Sequence, residues 1–345
     1  MIGISVYTGM GDSIEENLSY IEMAYSYGVK TVFTSLHIPE ANENIYLETE
    51  KILSKTKELG MQVIADISKG FVDKFDLKAY NIYALRLDFG FSIEELVRFT
   101  KEYPFKIQIN GSTISREYLL KLKEMGANFD NIEVGHNYYP RRETGISYDL
   151  LLERNKVFKE FNLRIMAFIP SRGGKRGPIY EGLPTLECHR DINPIVAAQH
   201  LLQADVDLVV IGDPFALEAE IKKLSDISKT FYTLPFKAIN ISEGERSILT
   251  GIHTNRMDPG EHVIRSQEAR SKKTLPIINK NTLERKKYFV TIDNEGYLRY
   301  EGELQITRKD LIADKRVNVI GDATEAALLI DLIKPGDAFR LDSDL

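Results

Sequence analysis

The chain has 345 residues, a net charge of −6 and a 43% hydrophobic fraction, room for one large and one small domain of an ordinary globular protein. Mild acidity excludes non-specific binding to nucleic acid or to an anionic membrane surface, while leaving open a local group of arginines for an anionic ligand. The single cysteine, Cys188, excludes an internal disulfide; with no basic leader and no apolar run of membrane-spanning length, the expectation is a cytoplasmic protein without an anchor.

Ile2 to Tyr7 is a short apolar run. Ser13 and Glu16 form a capping-box pattern, Leu18, Ile21, Met23 and Ala24 give the next helix a core face, and Gly28 closes it. Lys30 to Leu36 is the second apolar run, and a helix from about Glu43 to Leu59 stops at Gly60 before the third run, Met61 to Ile67. Leu77 to Tyr80 reads as a turn or short helix, and Ala84 to Asp88 as the fourth strand. Ser92 and Ser115 cap helices that flank the fifth strand, Phe105 to Asn110. Asn131 to His136, Leu163 to Ile169 and Asp207 to Gly212 complete eight strands, separated by helices at Tyr148 to Glu160 and from Pro194 to Gln203, with a last helix near Leu217 to Leu224. Eight strands alternating with helices over about 225 residues is the period of a (β/α)8 barrel. No G-x-G-x-x-G follows the first strand, so a dinucleotide site has no support.

Polar residues inside these strands carry the functional signal. Arg86 and Asp88 share one parity, as do Gln108 and Asn110, and Glu133 and Asn137. Facing the helix layer they would be costly unless paired, so the cheaper placement is inward, toward the open C-terminal mouth. With Asp66 and Asp213 at strand ends, Asp66, Asp88, Glu133 and Asp213 are expected to ring that mouth; the bland alternative is an ion pair of Arg86 with Glu133 or Asp88. His37, His136 and His189 fall near strand ends or in a loop, but without H-x-H or helical pair spacing, so no metal is expected.

The seventh strand runs into an unusually long connection, FIPSRGGKRGPIYEGLPTLECHR, Phe168 to Arg190. Strand-to-helix connections usually span two to six residues, and a long structured one marks a functional loop. Arg172 and Arg176, among Gly173, Gly174 and Gly177, suit an anionic group: arginine presents a planar fork, and glycines let backbone N–H groups approach. Glu187, His189 and Arg190 are expected to shape the loop or bind sugar hydroxyls, and His136, Asn137 and Arg142 to complete the pocket. The alternative for the two arginines is pairing with Glu181 and Glu187 to hold the loop. Beyond Leu224 the pattern becomes β-rich, with alternating runs at Tyr288 to Asp293, Tyr297 to Ile306 and Val317 to Ile320. The reading is a barrel domain over residues 1–234 and a small β domain over 235–345.

The opening GISVYTGM, the loop RGGKRGPIYEGLPTLECHR, and the segments Ile264-Arg265-Ser266, Thr291-Ile292-Asp293-Asn294 and Tyr300 to Ile306 resemble the 6-phospho-N-acetylmuramidase family, formerly a domain of unknown function sometimes labelled outer surface protein. The resemblance spans essentially the whole chain, and the long loop and the YEGELQI segment are its specific parts. It implies a TIM barrel with a small cyclophilin-like β-barrel domain. It also implies a cytoplasmic enzyme of cell-wall recycling that hydrolyses N-acetylmuramic acid 6-phosphate–β-1,4–N-acetylglucosamine without a cofactor. Residue roles rest on position in this chain. Asp88 and Asp213 are the expected acid and partner, with Glu133 in reserve. Asp66, Arg86 and Asn110 join the loop residues as substrate contacts, and the small domain is expected to close over the mouth and contribute Arg265. Substrate-assisted catalysis by the N-acetyl group would leave one essential acid. Rival classes are a sugar-phosphate isomerase or epimerase using one carboxylate and His136, and a non-enzymatic carbohydrate-binding protein. The sequence sets no oligomeric state.

Overall fold

A computed structural model of the protein describes residues 1–9, 13–36, 45–69, 79–87 and 90–343. The candidates Asp88 and His37 lie outside these residues, as does part of the turn expected at Leu77 to Tyr80. The chain divides into two units, Met1–Asp226 and Ile227–Leu345.

In the first unit, strands β1 (Ile2–Ser5), β2 (Thr31–Ser35), β3 (Gln62–Ile67), β4 (Ile82–Leu87), β5 (Lys106–Asn110), β6 (Ile132–Gly135), β7 (Arg164–Ile169) and β8 (Leu208–Ile211) pair in sequence order and close into a parallel barrel through β1 and β8. Between them lie α1 (Ile14–Ser26), α2 (Ile45–Glu58), α3 (Ile93–Glu102), α4 (Arg116–Glu124), α5 (Tyr148–Glu160) and α6 (Pro194–Gln203), and α7 (Glu218–Ser225) follows β8. The helix starts are where local chemistry puts them. Ser13 with Glu16 and Ser92 with Glu95 form full capping boxes, Ser115 and Ser147 accept one amide each, and Asn193 caps α6 just ahead of Pro194.

The barrel is a packed core. Phe33, Ile64, Ala84, Met166, Phe168, Leu208 and Val210 meet inside it, with Tyr7 and Leu183 covering the C-terminal end. Phe168 makes edge-to-face contacts with Phe33 at 5.0 Å and with Tyr138 at 5.1 Å, each contributing roughly 0.5–1.5 kcal/mol beyond area burial. Across this interior runs one polar row. Asp66 is in register with Arg86, Arg86 with Gln108, Gln108 with Glu133 and Glu133 with Arg164. The row is not level, because barrel strands are tilted and staggered. Asp66 is the fifth of six residues in β3, whereas Glu133 is the second of four in β6 and Arg164 the first of β7. Glu133 is therefore near the N-terminal end of the barrel, not at the mouth where strand parity alone had put it.

The second unit contains β9 (Phe231–Pro235), β10 (Lys237–Ala238), α8 (Glu243–Leu249), β11 (His253–Thr254), β12 (Val263–Arg265), β13 (Phe289–Asp293), β14 (Leu304–Thr307), β15 (Val317–Asp322), α9 (Ala327–Ile330) and β16 (Ala338–Asp342). They form a five-stranded sheet, β10-β15-β13-β14-β12, and a three-stranded sheet, β11-β16-β9. Neither sheet closes, so the expected cyclophilin-like β-barrel is corrected to two open sheets. Alternation in sequence reports strands, but closure requires the two edge strands to pair with each other. Here the edges β10, β12 and β11 are only two or three residues long.

Candidate active site

Three side chains, from β3, from β4 and from just past β6, meet at the C-terminal end of the barrel. Arg86 Nη1 donates to Asp66 Oδ1 at 2.7 Å, both residues being buried. Arg86 Nη2 donates to Asn137 Oδ1, just past β6. Ser112 Oγ accepts the Asn137 backbone N–H at 2.9 Å, tying the turn after β5 to the one after β6. The Asp66 carboxylate is thus committed to a buried ion pair with Arg86; of the two partners the sequence suggested for Arg86, Glu133 is paired elsewhere and Asp88 lies outside the described residues. Glu133 has its own, pairing with Arg164 Nη1 at 3.3 Å and accepting the Tyr83 hydroxyl.

Beside this group stands Arg176, from the long loop. Its guanidinium lies over the rings of Tyr7 and Tyr138, 4.8 and 5.0 Å from their centroids. Nη1 donates to the Tyr138 hydroxyl at 2.7 Å. The Tyr7 hydroxyl in turn donates to the Gly212 carbonyl at 2.8 Å, directly after β8. Burial pushes both phenols up from their ordinary range, so both stay protonated and able to donate. Among the described residues no carboxylate pairs with the Arg176 guanidinium. Tyr7 and Ser112 were missed in the sequence. The available signal for Tyr7 was its position two residues past Ser5, on the inward parity of β1.

Asp213 is fully buried and holds the loop. Its carboxylate accepts the backbone N–H of Ser171 at 3.0 Å, of Arg176 at 3.3 Å and of Leu183 at 3.4 Å, and Lys175 Nζ is 3.5 Å away. The glycines act differently from the expected anion cradle. Gly173 N–H donates to Ser171 Oγ and Gly174 N–H to the Phe215 carbonyl. A Cβ on Gly173 would fall 2.3 Å from that same carbonyl oxygen, so glycine is needed for loop packing. Arg172 is exposed, and its backbone N–H donates to Glu220.

The far end of the loop is a clasp. Glu187 receives Arg190 through Nε and Nη2, both at 2.7 Å, and also the N–H groups of Glu143 and Gly145. The Arg190 guanidinium beside it holds the Glu187 carboxyl down at about 2. Arg190 itself is buried and donates to the carbonyls of Tyr139, Arg141, Glu181 and Gly182. Two other candidates also prove structural. Arg142 makes an exposed fork with Asp191 at 2.7 and 2.9 Å. His136 is wholly buried, with Nε2 2.8 Å from Asn155 Oδ1 of α5, and burial pushes it down to about 4, so it is a neutral packing residue. His189 is equally buried, against His200. Asn110 Oδ1 accepts the Ser112 N–H at 3.0 Å, and beside it a cleft of about 380 Å³ opens between α3 and α4, lined by Leu87, Phe91, Ile109 and Tyr118.

Residues 2–226 match the N-terminal, and residues 233–342 the C-terminal, domain of the 6-phospho-N-acetylmuramidase family. The chain belongs to that family. As such it is a glycoside hydrolase of peptidoglycan recycling that cleaves N-acetylmuramic acid 6-phosphate–β-1,4–N-acetylglucosamine. Its structure is similar to that of a conserved protein from a locus in Enterococcus faecalis, with 34% identity, a TM-score of 0.80 and coverage of 100% of this chain and 96% of that one. It is also similar to an uncharacterized B. cereus protein, with 29% identity, a TM-score of 0.85 and 99% of each chain covered. No curated protein matches the chain. Among the described residues no helix is long and apolar enough to cross a membrane.

In this family member's second unit, Arg265 is already engaged. Its Nη2 lies 2.6 Å from Oε1 of the buried Glu303, and Arg270 Nε is 3.3 Å from Oε2. Across the strands, Asp293 N–H donates to the Glu303 carbonyl. Burial, then the Glu303 charge, pushes the Asp293 carboxyl up to about 7, with Asp314 adding to the effect and Arg285 and Arg265 opposing it. A folded-state value above the unfolded one means that ionising Asp293 costs stability. The second unit should therefore lose stability as pH rises from about 4 through 7. Asp293→Asn should flatten that slope in thermal melts between pH 5 and 8. Equal slopes for both proteins would show that Asp293 carries no such cost.

Proposed function

We propose that Arg176 receives the 6-phosphate of the muramic acid residue at the barrel mouth, and that Asp88 protonates the leaving glycosidic oxygen. The observation that carries the phosphate role is the setting of Arg176: a guanidinium held over two tyrosine faces at the strand ends, with no carboxylate partner among the described residues. The contrast with Arg86, Arg142 and Arg190, each spent on a carboxylate, singles it out. A fork already fixed by stacking loses little further freedom on meeting phosphate oxygens. The protonated Tyr138 hydroxyl, which accepts from Arg176, stands beside it with its own O–H as a further donor; the Tyr7 O–H is held by the Gly212 carbonyl. The lone cysteine agrees with a cytoplasmic site of action.

The test compares the phosphorylated and unphosphorylated disaccharides. The intact enzyme should strongly prefer the phosphorylated one. Arg176→Ala should lose about 10- to 100-fold of that preference, the magnitude of one charge-assisted contact. Arg172→Ala, altering an exposed side chain, should lose less. Equal losses on both substrates would mean that Arg176 only scaffolds the loop.

A further inference from the structure

Away from the mouth, the end of the long loop meets α6 at a cluster that the hydrolytic reading leaves unused. Cys188 and His189 belong to the short turn Glu187–His189, and His200 projects from α6. One donor atom from each of the three lies within 4.8 Å of the others. His189 Nε2 and His200 Nδ1 are 2.9 Å apart. Both rings are buried, while Cys188 is exposed. The Tyr148 ring stacks on His200 at 3.9 Å and fixes its plane. A contact between two neutral imidazoles uses one N–H and one lone pair. The other nitrogen of His189, Nδ1, is buried with no hydrogen-bond partner among the described residues and takes no part in the contact with His200, so Nε2 is the atom that this ring presents to the cluster.

We propose that Cys188, His189 and His200 form a three-ligand site for a divalent cation of the zinc class, with the fourth position open to water on the Cys188 side. One thiolate and two imidazoles are a borderline-soft donor set that suits such an ion. Zinc–nitrogen bonds of about 2.1 Å at a tetrahedral angle need the two nitrogens roughly 3.4 Å apart, so the rings need separate only by a few tenths of an ångström. Binding releases the thiol proton to solvent and involves no redox change. The ion would pin the end of the long loop to α6. Sequence reading expected no metal because the ligands are not at H-x-H or one-turn helical spacing; the Glu187–His189 turn and the last turn of α6 bring them together.

The probe is cobalt(II) added to the full-length, chelator-treated protein. Binding should be one to one, with a near-ultraviolet thiolate-to-cobalt band and a visible band of tetrahedral intensity, and zinc(II) should raise the melting temperature. Cys188→Ser, a change at an exposed side chain, should keep the fold, abolish the thiolate band and weaken binding at least about tenfold. His200→Ala, if folded, should do likewise. Absence of a thiolate band in the intact protein, or equal cobalt affinity in the intact protein and Cys188→Ser, would overturn the proposal and mark any binding as surface adsorption.

Discussion

Asp88→Asn should lower turnover of the phosphorylated disaccharide by at least about 10²-fold, the low end for loss of a general acid. Glycoside hydrolysis needs a carboxylic acid at the leaving oxygen, and the strand-end carboxylates on the described part of the mouth are otherwise occupied. Asp66 is paired with Arg86, and Asp213 is surrounded by backbone N–H groups of the loop it holds. Asp88 follows β4 in the sequence, two residues after Arg86, and its residue type at a strand end is the argument for its role. Asparagine keeps the size and removes the acid. Asp213→Asn serves as the contrast: it should loosen the loop and lower stability, with activity falling in step with the folded fraction. Near-normal turnover in Asp88→Asn would end the assignment. A loss in Asp213→Asn that exceeds its loss of folded protein would move the acid to β8.

Arg86→Met should destabilise the first unit by about 3–5 kcal/mol, the usual result of stranding one member of a buried ion pair. Methionine fills much of the volume, so the dominant effect is the Asp66 carboxylate left without its 2.7 Å partner. The loss should appear in urea unfolding as a lower midpoint at unchanged slope. Arg86→Met combined with Asp66→Asn should recover a substantial part of it, because the uncompensated charge is gone. A single variant as stable as the parent protein would show that the pair contributes nothing. A double variant no better than the single one would place the loss in the Asn137 contact instead.

What could be read in the chain was mostly local. The capping box at Ser13, the cap at Ser92 and the eightfold alternation depend on residues a few positions apart, and the barrel follows from them. The misplaced residues all depend on partners distant in sequence. Glu133 shares parity with the mouth residues, but the stagger of the barrel carries its row down to the N-terminal end, where Arg164 meets it. His136 looked functional as a polar residue ending a strand; Asn155, on the following helix, makes it a packing residue. Gly173 and Gly174 looked like an anion cradle until Phe215 was found against them. The closure expected of the second domain failed for the same reason, since edge-strand pairing leaves no mark on the strands themselves. Arg176 was legible as an arginine in a glycine-rich loop, but its two tyrosine supports come from strand ends far away in sequence.

The clasp around Arg190 bears on which changes the two loops can absorb over evolutionary time. Arg190 takes carbonyl oxygens from Tyr139, Arg141 and Glu181, and a carbonyl is the same whatever side chain accompanies it. As far as the clasp is concerned, the identities of those residues are open to drift. The number of residues between them is not, because one added or deleted position shifts every carbonyl out of reach of the planar fork. Homologous loops built around this arginine would accordingly diverge in letters while keeping their length.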